Sequence, residues 1–174
     1  WFFSPGVTNE NRGKIDSLRS ENKKIDLPSK LAAQEHHGVG IVISEKWVPC
    51  ILNVRAISSR ILICSFKGTP NWHIFVAYAP HSHRPDAEKD LFWDSLSSLW
   101  RSIPNHELKF MLGDFNAQIL EQPDQLKHAI GPHIIKMDHG SWDDLSEEVQ
   151  DNRNRFLNLI SEDDLWVANT FFDK

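Results

Sequence analysis

The chain has 174 residues, 40% of them hydrophobic and 25% charged, which is the makeup of a single soluble globular domain large enough to bury a core. A net charge of -5 excludes a simple basic module that coats nucleic acid, but not an enzyme whose carboxylates meet nucleic acid through a divalent cation. No apolar run approaches the ~20 residues that span a bilayer, and the opening Trp1-Phe2-Phe3-Ser4-Pro5-Gly6 lacks the basic and long apolar regions of a signal peptide.

The first residue is not Met, so the chain is expected to be part of a longer polypeptide. Residues 8–36 are polar and charged and read as a loop, with a short helix near Asp26 to Glu35. From Gly38 the pattern becomes β-type. Gly38 to Ile43, Val48 to Ile57, Ile61 to Phe66 and His73 to Ala79 are four apolar runs, the second and third joined through Ser58-Ser59-Arg60 and the last stopped by Pro80. Short connections between them predict antiparallel pairing. Cys50 and Cys64 both sit in these runs and read as buried reduced thiols, which points to an intracellular setting, the nucleus included, with no targeting signal in the sequence.

Arg84-Pro85-Asp86 opens a helix, with the acids Asp86, Glu88 and Asp90 in its first turns. Phe92, Leu96, Leu99 and Trp100 form its apolar stripe, and Ile103-Pro104 ends it. A strand follows over Leu108 to Leu112. Residues 117–150 read as a polar loop, acidic towards Asp143-Asp144. A second helix is expected from about Asn154 to Glu162, burying Phe156, Leu157 and Ile160, and then a last strand over Leu165 to Asn169. A meander of strands followed by strands alternating with helices predicts an α/β fold of mixed sheets covered by helices, with function at the strand C-termini.

Three strand ends carry polar groups that could do chemistry. Tyr78, the only tyrosine, precedes Ala79-Pro80 and could aim its hydroxyl at an anionic oxygen, or simply pack its ring. Gly113-Asp114-Phe115-Asn116 puts a carboxylate and a carboxamide two residues apart, a pair suited to a metal-bound phosphate; turn formation alone would also place Asp and Asn there. Asn169-Thr170 is the third, with a plain turn or cap as the bland reading. Asp151-Asn152-Arg153-Asn154-Arg155 is expected to open the second helix, where N–H groups beside Asn and Arg would favour a phosphate; an N-cap with solvated arginines is the alternative. The pairs His36-His37 and His81-Ser82-His83 lack nearby cysteines and are poor metal ligands by spacing, and His133 reads as solvent-exposed.

Taken in order, Gly38 to Ile43, Arg60-Ile61, Tyr78-Ala79-Pro80, Phe92-Trp93, Gly113 to Asn116, Asn152 to Arg155 and Ala168-Asn169-Thr170-Phe171-Phe172 resemble the endonuclease/exonuclease/phosphatase superfamily. Within it they look most like the endonuclease domains of non-LTR (LINE-type) retrotransposons and craniofacial development protein 2-like sequences. The resemblance covers roughly Glu35 to Phe172. It implies a four-layer α/β sandwich of two mixed sheets flanked by helices, here incomplete. It also implies hydrolysis of DNA phosphodiesters dependent on Mg²⁺ or Mn²⁺. By this resemblance Tyr78 contacts the scissile phosphate, Asp114 orients or deprotonates the attacking water and is a weak metal ligand, and Asn116 holds Asp114 and a phosphate oxygen. Asn152 and Arg155 match a phosphate-binding segment, in which Arg153 stands where glycine is usual. The family's metal-binding Glu would lie before Trp1 and its Ser-Asp-His segment after Lys174. Glu10, Glu35 and Asp138-His139 are not placed to replace them. The implied partners are DNA and the rest of a longer polypeptide, a reverse transcriptase included. The 174 residues alone are expected to be inactive. A non-catalytic remnant with at most a binding role, or another phosphoesterase acting on lipid or inositol phosphates, are the alternatives. The Tyr-Ala-Pro and Ala-Asn-Thr-Phe-Phe segments favour the retroelement branch over the last.

Overall fold

The computed structural model describes residues 2–4, 25–26, 38–134 and 145–173. Beyond Asp26, the short helix expected near residues 26–35 lies outside them, as do His36-His37, Asp138-His139 and Asp143-Asp144. The fold is α/β, and the chain divides into two compact units: Trp1–Tyr78 with Ser102–Asp114, and Ala79–Arg101 with Phe115–Lys174.

The first unit is built on a mixed sheet. Its strands are β2 (Ile25–Asp26), β4 (Ile51–Ser58), β5 (Ile61–Phe66), β6 (Trp72–Tyr78) and β7 (Leu108–Asp114), lying side by side in that order. A separate two-strand ladder pairs β1 (Phe2–Ser4) antiparallel with β3 (Val39–Ile41). The expected antiparallel meander is present: Ser58 pairs with Ile61 across the Ser59-Arg60 turn, and Phe66 pairs with Trp72. β7 instead runs parallel to β6, because the chain leaves through a helix-bearing excursion before returning, which is what a parallel pair requires. All six residues of β5 are buried, and all but Ser65 are apolar, as suits a central strand covered on both faces, whereas β6 alternates. Val54, Leu62, Cys64 and Phe66 form a core on one face together with Trp72, Ile74 and Val76.

One expectation for this unit is met only in part, and another needs correction. Among the described residues a second mixed sheet facing the first is not seen. The strand expected from Val48 starts only at Ile51, because Glu45–Cys50 is a 3₁₀ helix containing Pro49, a residue with no N–H to give a ladder. Cys50 and Cys64 are free thiols as expected, although Cys50 is only half-buried.

The second unit holds α1 (Asp86–Arg101) and α2 (Glu147–Glu162). α1 begins where its sequence signals place it and buries Phe92, Trp93, Leu96 and Trp100 along one stripe. Lys89 lies on the same stripe and is 2% exposed, a buried charge held by Asp151 at 2.6 Å and Asp86 at 2.9 Å. Its pKa lies above the ordinary lysine value: burial pulls it down, and the Asp151 and Asp86 carboxylates more than offset that. α2 starts seven residues before Asn154, at Glu147, with Ser146 in extended backbone as its N-cap and Glu147 and Glu148 in its first turn. Asp151 to Arg155 therefore lie inside the helix rather than opening it. The last strand is reduced to one bridge, Val167 to Ile130, after which Ala168–Thr170 turns as a 3₁₀ helix.

Candidate functional site

In the first unit, Tyr78 and Asp114 finish adjacent parallel strands and are partners in register. Partners in register leave the sheet on the same side, so phenol and carboxylate rise together from the last rung of β6–β7. Asp114 is exposed and Tyr78 half-buried. The rung below them depends on Gly113. Its φ is 154°, and a Cβ there would overlap the Ala77 carbonyl oxygen, so only glycine allows the two backbones to approach this closely. Arg60 completes this corner. It is 7% exposed, its guanidinium carbon lies 5.3 Å from the centre of the Tyr78 ring, and its Nη1 donates to the Tyr78 carbonyl at 3.4 Å.

In the second unit, two asparagines lace the loops that continue from those strand ends. Asn116 sits in the left-handed region at φ 46°, which asparagine tolerates better than most residues, and its Nδ2 donates to the Ala79 carbonyl at 2.7 Å. Asn152 is fully buried, and its Nδ2 donates to the carbonyls of Pro80 at 3.0 Å and Asn116 at 2.9 Å. Only the amide nitrogen can donate to both, so its two N–H groups are engaged by backbone. Asn152 thus lies inside α2 and braces two backbone carbonyls, whereas the sequence reading places it at the helix start. Arg155 also lies within α2, where its Nε donates to both Asp151 carboxylate oxygens at 2.9 Å and its Nη1 donates to Asp90 on α1. Its pKa is raised: burial lowers it, and hydrogen bonds to Asp90 and Asp151 outweigh that. Arg153 is buried in the same helix with helical neighbours on both sides, so glycine is not required at that position.

Other candidates resolve into structure. The Thr170 hydroxyl accepts from Gly131 N–H and donates to the Val167 carbonyl, each at 2.6 Å, which is the turn-and-cap reading of Asn169-Thr170. Trp93 is core, grouped with Phe92, Phe115 and Phe156, and Phe115 of the tetrapeptide stacks on Phe156 with centroids 4.9 Å apart. His133 is exposed and lies 3.7 Å from Asp173.

A second polar cluster escapes a reading of the sequence, and Arg60, noted there with Ile61 at a strand start, has no role assigned by it. His73 Nδ1 meets Ser65 Oγ at 2.9 Å, its Nε2 meets Glu107 Oε2 at 2.6 Å, and Asn71 Nδ2 donates to Glu107 Oε1 at 2.9 Å. These residues stand up to 42 positions apart (from Ser65 to Glu107) and meet only through strand register. Arg60 carried a signal, a charged residue at the entrance of a strand that is apolar but for Ser65.

Among the described residues no three His, Cys, Asp or Glu side chains come together to hold a metal ion. Asp114 would be a single carboxylate ligand where Mg²⁺ needs several further oxygens. A Mg²⁺ or Mn²⁺ ion held by Asp114 would take its further oxygens from water or a bound phosphate. No helix among the described residues is long and apolar enough to cross a membrane.

No family model matches the chain, and no solved structure matches it. The chain is distantly similar to craniofacial development protein 2 from Bos taurus, 22% identical over 141 residues that cover 67% of this chain and 24% of that protein. The same protein from Tragulus javanicus is 21% identical over 141 residues, again 67% of this chain and 25% of its own length. The chain therefore spans about a quarter of the length of the curated relatives it matches, and what it shares with craniofacial development protein 2 is a distant likeness.

Proposed function

We propose that the strand ends carrying Tyr78 and Asp114, with Asn116 in the loop that follows, act on a phosphodiester, and that the substrate is the DNA backbone. The observation that supports this most is the shared last rung of Tyr78 and Asp114. A phenol hydroxyl donates to a non-bridging phosphate oxygen, and a carboxylate beside it orients the attacking water or takes its proton. Asn116, whose Nδ2 donates to Ala79, joins this reading through the resemblance, in which the asparagine holds a phosphate oxygen. The four-layer sandwich of two mixed sheets and a retroelement origin belong to the same reading, supported by the ordered motifs and the distant likeness to craniofacial development protein 2. Arg155 and Asn152 enter it as support behind the loops, with any phosphate contact by Arg155 needing release from Asp151 and Asp90.

Such chemistry uses Mg²⁺ or Mn²⁺ to polarise the phosphate. The donor set among the described residues favours a second reading, in which the 174 residues bind DNA without cutting it. Incubating the chain with supercoiled plasmid and Mg²⁺, alongside fluorescence anisotropy on a short DNA duplex, separates the two. The expected result is duplex binding that weakens in Asp114→Asn and Tyr78→Phe variants, with no nicking. Nicking that disappears in Asp114→Ala would make the chain an enzyme and overturn the binding-only reading. Neither nicking nor binding would sink both.

A further inference from the structure

We infer that Arg60 is the positioning residue of Tyr78: it holds the phenol in one orientation and sets a buried positive charge beneath the anion that the hydroxyl meets. The second half of this rests on the phosphodiester reading above; the first does not.

Four of the contacts of Arg60 lie at this corner. Two are made by backbone: its N–H donates to Ser58 Oγ at 3.1 Å, and its carbonyl accepts from Tyr78 N–H at 2.9 Å. These pin the Ser59-Arg60 turn against the end of β6, and almost any residue could make them. The other two need this side chain. The guanidinium carbon stands 5.3 Å from the Tyr78 ring centre, and Nη1 donates to the Tyr78 carbonyl at 3.4 Å. A planar guanidinium can lie over an aromatic ring and donate from its edge at the same time, a stacked geometry that a lysine ammonium does not reproduce. Burying a charge is costly unless it is held, and the ring and carbonyl of Tyr78 are among the groups that hold this one. Here the residue is 7% exposed, and the object it faces is the phenol at the last rung beside Asp114. A cation in that place favours an anion at the hydroxyl and opposes rotation of the ring away from it.

Tyr78 is the only tyrosine in the chain, so biosynthetic fluorotyrosine gives a single fluorine resonance that reports this ring alone. The measurement compares the native sequence with Arg60→Lys and Arg60→Met, first without ligand and then with a short DNA duplex and Mg²⁺. Without ligand, the native resonance should stand apart from that of the denatured protein, and in both folded variants it should move towards the denatured position. Arg60→Lys keeps a charge and a long stem, so it provides a folded comparison if Arg60→Met unfolds. With DNA, the native resonance should shift on binding; the apparent affinity should fall by about tenfold in Arg60→Met and by less in Arg60→Lys. Variants that only lower the melting temperature, with the folded fluorine resonance unmoved, would overturn the positioning role. A ligand-free shift in the variants, with no response of the native protein to DNA, would uphold positioning and remove the anion role together with the phosphodiester reading. Equal DNA affinity in native and Arg60→Met protein would overturn the anion role alone.

Discussion

The parallel pair β6–β7 carries a polar cluster at each end, and the two are built on opposite principles. At the start of the strands, Ser65, His73, Glu107 and Asn71 close on one another. Serine, histidine and a carboxylate are the makings of a hydrolytic triad, yet the Ser65 hydroxyl belongs to a residue 5% exposed in a wholly buried strand. His73 can donate to Glu107 while Ser65 donates to its other nitrogen, or donate to both, so the cluster is satisfied either way. It is a clasp. At the finish of the strands, Asp114 is exposed, Gly113 departs from strand backbone, and Asn116 lies at positive φ. A satisfied cluster stabilises a fold. At the other end an exposed acid stands between two positions of positive φ, Gly113 and Asn116. The residue types at the two ends are similar, and it is access and backbone geometry that tell them apart.

The largest effect should come from disturbing the finish of the strands. Gly113→Ala places a methyl against the Ala77 carbonyl at a φ that alanine resists, and should cost about 3 kcal/mol or more in urea unfolding. If the loss is small, the close approach of β6 and β7 is not what fixes Asp114. Next, His73→Phe leaves Glu107 and Ser65 without their ring partner and should cost about 2 kcal/mol. The Tyr78 fluorine resonance should not change in that variant; if it does, the two ends are coupled and the contrast fails.

The pH response sharpens the comparison further. The Glu107 carboxyl is held below its ordinary value of 4.5, first by the Asn71 amide and then by His73. A carboxyl that ionises more readily when folded adds stability above its unfolded pKa, and that stability is lost as pH falls through the lower folded value. The clasp should thus be at full strength above pH 4.5 and weaken below it. Melting temperatures recorded from neutral to acid pH should show a shallower acid decline in Glu107→Gln than in the native protein. An unchanged slope would mean that the Asn71 and His73 bonds do not favour the ionised acid.

Much of this was legible in the sequence, for identifiable reasons. The meander from Ile51 to Tyr78 and the stripe of α1 follow local periodicity, and the place of Tyr78 and Asp114 at strand ends follows from Pro80 and Gly113. What could not be read locally was partnership. Asn152 reads as a helix-start residue until Ser146 is recognised as the cap, and its true work, bonding to two carbonyls 72 and 36 residues away, has no local signature. The start of α2 was itself available in Ser146-Glu147-Glu148, hidden within an acidic stretch that resembled loop. The Ser65–His73–Glu107 clasp depends wholly on cross-strand register.

Between the two ends of β7 lies a third kind of surface, and it should give the smallest response. Leu108, Phe110 and Leu112 point to one side of the strand at 50%, 49% and 55% exposure, while their register partners Trp72, Ile74 and Val76 belong to the buried core's border. A half-exposed side chain on an edge strand contributes little to unfolding free energy, because much of its surface stays in water when the chain folds. Phe110→Thr puts a β-branched residue that suits a strand in place of a half-exposed ring and should therefore change stability by no more than about 0.5 kcal/mol. The same row of apolar side chains along an edge is a template for self-association. In light scattering at high concentration, Phe110→Thr should aggregate more slowly than the native chain. A large loss of stability from this substitution would mean that Phe110 is packed rather than exposed, and that β7 is held by its face as much as by the clasp and the Gly113 contact at its two ends.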